Sequence, residues 1–140
     1  MKHFLLAAIS ALILAVGAPT AAFAQTIDPA TDTVTQDQVI TACSADDNAT
    51  ECIALTQRLV AKIKVTGGDA AAQRQLLNTL VVALAQTDGP VAQLAAAIDT
   101  IATDAPELVN TDAVAGIADG LVTGDTDTVT ASINQLASPN

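Results

Sequence analysis

From Thr35 onward, apolar residues recur at spacings of three and four with polar residues between them, the period of an α-helix that buries one stripe. The first such segment is short, with Thr35 as cap, Asp37 in its first turn and Val39, Ile40 and Cys43 on one side. The clearest runs from Thr50 to Thr66, where Ile53, Thr56, Leu59, Val60 and Ile63 share a stripe that Gly67-Gly68 ends. Asp69 is expected to cap a third helix reaching Gln86, with Leu76, Leu77, Leu80, Val81 and Leu84 inward. Asp88-Gly89-Pro90 then reads as a turn, and Pro90 as the first residue of a fourth helix with Val91, Leu94, Ala95, Ile98, Ile101 and Ala102 on its inner face.

Pro106 stops or kinks that helix, and Thr111 or Asp112 caps a fifth, lined by Val114, Ile117, Leu121 and Val122. Gly116 and Gly120, four apart, permit close backbone approach to a neighbour, although each costs helix stability in water. After Gly124-Asp125, a last helix from Thr126 to Ala137 would turn Val129, Ile133 and Leu136 inward. Thr128-Val129-Thr130 makes a strand the alternative there. The expected fold is all-α, a compact bundle of five or six short helices. A chain of this length supports one domain, here residues 35–140, with residues 25–34 as a mobile lead-in that lacks an apolar period.

The first 24 residues follow a different pattern. Lys2 precedes an apolar stretch from Phe4 to about Ala18, and Ala22-Phe23-Ala24 has the small-x-small form of a cleavage site. Residues 1–24 therefore read as a signal peptide cleaved after Ala24. Gly17 and Pro19 interrupt the stretch short of the roughly 20 apolar residues that a membrane span needs. The longest later apolar run, Leu76 to Ala85, contains Asn78 and Thr79 and is also too short. A periplasmic or secreted protein, with no stable membrane insertion after cleavage, is the expectation.

Cleavage alters the composition sharply. His3, Phe4 and Phe23 leave with the leader, so the remaining 116 residues contain no His, Phe, Tyr or Trp. Of the five basic residues Lys2 also leaves, and four bases face fifteen acids, a formal −11. The core must be aliphatic and rich in alanine, which favours close helix packing. Without His the usual general base, nucleophile partner and transition-metal ligand are missing, and without aromatic rings so are stacking platforms and cation cages. Strong acidity also argues against nucleic acid as a partner. No catalytic residue, metal site or cofactor is expected. Asp125 to Val129 begins like a calcium-binding loop, but Val129, Thr130 and Leu136 occupy positions where that motif needs a ligand, Gly and Glu.

Three features are candidate sites. Cys43 and Cys52 form an even pair in an exported chain, spaced too widely for a redox C-x-x-C, and are expected to form a structural disulfide. Asn48-Ala49-Thr50 is a glycosylation sequon between them, with Asp46 two residues upstream of Asn48. Arg58, Lys62, Lys64 and Arg74 fall in one stretch and are a candidate anion or partner contact, their ordinary role being weak surface pairing. By subtraction, the expected function is that of a non-enzymatic exported interaction or structural protein, acting on an unidentified protein partner through a helical surface. The alternatives are an acid-responsive holdase, whose carboxylate shell is discharged at low pH, and a carrier of small apolar ligands.

Overall fold

The computed structural model describes residues 27–138. The expected signal peptide and the first residues of the expected lead-in lie outside the described residues. Within them the chain is all-helical, with six helices: α1 (Gln36–Ser44), α2 (Ala49–Thr66), α3 (Ala70–Ala85), α4 (Val91–Asp104), α5 (Thr111–Thr123) and α6 (Thr126–Leu136).

Local chemistry sets most of the boundaries. Thr35 and Gln38 form a reciprocal capping box at α1. Asp69 caps α3 by accepting from the Ala72 N–H. Gly67 closes α2 with its N–H on the Ile63 carbonyl, and Gly68, at φ 89°, makes a left-handed turn that favours glycine. Pro90 stands one position earlier than the sequence reading placed it: it is the N-cap of α4, and its carbonyl accepts from Gln93 and Leu94. The cap of α5 is Asn110, not Thr111 or Asp112, because its extended backbone aims the amide oxygen at the Ala113 N–H. Asp112 instead sits in the first turn, where its charge suits the helix dipole.

The strand alternative at residues 128–130 is overturned, since Thr126–Leu136 is helical. Asp125 supplies the reason. Its carboxylate accepts from the Asp127 and Thr128 N–H groups and from the Thr128 hydroxyl, offsetting the poor propensities of the residues that follow. Elsewhere too, threonine is accommodated within helical geometry. Thr56, Thr66, Thr79, Thr87, Thr100, Thr103, Thr123 and Thr130 each donate the hydroxyl to the carbonyl four residues back, so none carries an unmet donor.

Helix α4 lies at the centre, packed against α1, α2, α3 and α5, while α6 rests mainly on α5 with a smaller contact to α3. The core is aliphatic and fine-grained: Leu77, Leu80, Leu84, Ile98, Ile101 and Ile117 fill it between buried alanines such as Ala97, Ala105 and Ala113. Three expected core residues face solvent instead, Leu76, Val91 and Val122. Leu77, Leu80, Val81 and Leu84 already make a complete seam, from which Leu76 is rotated about 100° on the helix. Val122 is displaced in the same way from the seam of Val114 and Ile117, and Val91 projects from the first turn of α4. Packing also begins before Thr35, because Val34 is a core residue and Asp32 is buried.

The spacing of Gly116 and Gly120 serves the α5–α6 contact. A Cβ at Gly116 would run into the Ser132 hydroxyl, and one at Gly120 would lie 2.7 Å from a Val129 methyl and 3.1 Å from the Asp125 carbonyl oxygen. At Gly120, where backbone as well as a methyl stands in the way, helix α6 can lie this close to α5 only over glycine.

Candidate functional site

The four basic side chains do not converge on one patch. They divide into two pairs on opposite flanks of α2 and α3, and each pair holds down chain that precedes, links or ends helices. Arg58 makes a two-pronged contact with Asp32, Nε to Oδ2 at 2.9 Å and Nη2 to Oδ1 at 2.7 Å. Lys62 Nζ donates to the Val34 carbonyl at 2.8 Å. Together they clamp residues 32–34 against α2. On the other side Lys64 Nζ donates to the Asp104 carbonyl at 2.8 Å and pairs with Glu107 at 3.1 Å, and Arg74 Nε donates to the Leu108 carbonyl at 3.2 Å. That pair fixes the end of α4 and the link to α5, where a cation complements the exposed carbonyls.

These bonds perturb the acids. The Arg58 guanidinium, helped by the Val34 N–H, holds Asp32 below the usual aspartate range against the opposing effect of burial. Glu107 is lowered first by its own backbone N–H and then by Lys64. Asp125 is lowered by the Thr128 backbone N–H and hydroxyl. A cleft of about 530 Å³ beside Arg58 also carries Asp37 and Glu51, which disfavour an anion there.

Cys43 and Cys52 are joined, 4.6 Å apart at Cα. The bond links the last turn of α1 to the first turn of α2 and is fully buried. Above it, Gln93 at the start of α4 is buried, and its Nε2 lies 3.0 Å from the carbonyls of Ala42 and Cys43 and 3.2 Å from that of Ala45, which satisfies the end of α1. Gly89 brings the α3–α4 turn so close that a Cβ would lie 2.9 Å from the Ser44 Cα. Asn48 stands just before α2 with its Nδ2 bonded to Glu51 Oε2 at 2.9 Å, and Ala49 and Thr50 are already helical.

A further concave surface meets the residues singled out from sequence only at Arg74. It is a mostly apolar groove of about 600 Å³ between the outer face of α3 and the last turns of α6, within the range of ligand sites. Val82, Ala83, Ile133 and Leu136 form its apolar lining, Gln75 and Gln86 belong to its polar part, and Arg74 is its one charged residue. Asn78 also lines it. The Nδ2 of Asn78 donates to the Leu136 carbonyl at 3.0 Å, while its Oδ1 is buried without a partner among the described residues. The amide cannot be turned round without setting two oxygens face to face.

No family model, curated protein or solved structure matches this chain. Sequence reading missed Asp32, Gln93 and Asn78, and each is a polar residue with a partner at least 26 positions away. Only the interruption of an apolar run at Asn78-Thr79 signalled anything unusual.

Proposed function

We propose that this chain is an exported, non-enzymatic interaction protein that engages a partner protein through the groove between α3 and α6. The observation that carries the reading is the groove itself: an apolar concavity on a strongly acidic chain, with one arginine and an acceptor that is unmet among the described residues. The aliphatic composition supports a binding role over catalysis, and the leader together with a buried disulfide supports a periplasmic or secreted location. Arg74 is bonded to the Leu108 carbonyl through Nε and also lines the groove, which makes it the member of the basic stretch placed to meet a partner there. A photo-crosslinking side chain at Thr79 in the groove should capture one discrete partner in the native envelope or medium, and the same group at exposed Asp119 should not. Equal capture at both positions would sink the proposal.

A second reading, the acid-responsive holdase, draws on the placement of the three acids with lowered pKa. Asp32 holds the segment before α1, Glu107 the link before α5 and Asp125 the start of α6. Protonation weakens each hold and frees aliphatic faces for clients. It fails if dye binding and far-UV dichroism stay unchanged between about pH 7 and about pH 2 and no client is kept soluble.

A further inference from the structure

Resting on the groove as the interaction face, we infer that its occupant is the carboxyl end of an apolar peptide segment, with its terminal carboxylate on Arg74 and a backbone N–H directed to Asn78 Oδ1.

Arg74 and Asn78 are four residues apart on α3 and share a face, about 6 Å from one another. Arg74 makes no ion pair among the described residues, and its Nε is the only atom engaged, on the Leu108 carbonyl. The outer fork of the guanidinium is thus left to meet an anion, and its two parallel donors match a carboxylate. The second requirement is of the opposite kind. Asn78 Oδ1 is an acceptor that has lost water and gained nothing, which costs stability until a donor reaches it.

A ligand that satisfies both carries an anion and, within a few ångströms of it, a neutral donor. A peptide terminus has that arrangement in its last residue. An ionised fatty acid has the anion and no donor. Oδ1 has almost no exposed surface, so a donor from the groove reaches it only if the last turn of α6 shifts. That turn is bound to α3 through the Leu136 carbonyl on Asn78.

Dimensions agree. From Ala71 to Gln86 the groove follows α3 for about 22 Å, the length of six or seven residues of extended chain. Val82, Ile133 and Leu136 would take apolar side chains, and the amides of Gln75 and Gln86 would meet peptide groups at the rim.

The test uses the exported protein, uniformly ¹⁵N-labelled, and three probes: an N-acetylated apolar hexapeptide ending in a free carboxylate, the same peptide ending in a carboxamide, and dodecanoate. Amide shifts on α3 and α6 should report the free-acid peptide binding at least about tenfold more tightly than the carboxamide. Arg74→Gln should remove that ratio, and Arg74→Lys should restore part of it. Asn78→Leu should weaken both peptides alike. The inference is overturned if acid and carboxamide bind equally, if dodecanoate binds better than the peptide at the same residues, or if no probe shifts the groove. Equal binding alongside a discrete crosslink at Thr79 would leave the groove as the interaction face and refute only the terminus. Loss of both would refute the groove itself.

Discussion

Each of the four basic side chains of residues 27–138 ends on an oxygen beside a stretch of chain that precedes, links or ends helices. Their value lies in ordering that chain more than in pairing charge, since exposed pairs by themselves contribute little. Replacing Arg58 with Gln should therefore leave the helices intact and strip hydrogen-exchange protection from the Val34 amide, which is held by Asp32. Unchanged protection there would refute the clamp. Gln93 carries a larger share, because it satisfies carbonyls of α1 in a buried place. Gln93→Leu should cost about 1–3 kcal/mol of unfolding free energy in urea titrations, and a loss within error of zero would show that those carbonyls find other donors. None of this was legible in the sequence. The basic stretch stood out, but the oxygens it meets come from segments 26 to 40 positions away, and neither charge nor period encodes such pairing.

At the level of elements the sequence was far more readable. Apolar period and turn chemistry act within a few residues, so Thr35, Asp69 and Gly67 marked their boundaries directly. Where the reading slipped, at Leu76, Val91 and Val122, the stripe alone could not say how wide a face the neighbours would cover. The two glycines of α5 show how finely packing then decides. At Gly116 an added methyl meets only the Ser132 hydroxyl, which can rotate away, whereas at Gly120 it meets the Asp125 carbonyl and Val129 backbone as well as a methyl. Alanine at Gly116 should thus be nearly neutral, the roughly 1 kcal/mol gained in helix propensity offsetting the contact. Alanine at Gly120 should cost about 1–3 kcal/mol. Thermal melts of the two variants that coincide would show that α6 is not held by close approach. Opening the Cys43–Cys52 loop with a double alanine variant should remove about 2–3 kcal/mol on the chain-entropy argument, and a variant as stable as the parent in urea would contradict that.

For the whole molecule, pH is the informative variable. Asp32, Glu107 and Asp125 have folded-state pKa values below their unfolded ones. Their contribution is complete above the unfolded value, near pH 4, and is lost as pH falls through the folded values. Urea midpoints should hold level from neutrality to about pH 4 and decline below it, with exchange quickening first at residues 32–34, at 104–108 and at the start of α6. A midpoint that rises through that range would reverse the sign and refute the assignment. Such a transition has an internal optical reporter. With residues 1–24 removed, as proposed, the chain contains no tyrosine, tryptophan or phenylalanine, so its near-ultraviolet dichroism arises from the cystine alone. Because that cystine lies fully buried where α1, α2 and α4 meet, its weak band should persist while the centre stays closed and vanish only when it opens. Acid that loosened the periphery first would then alter amide exchange at those three places while leaving this single chromophore silent.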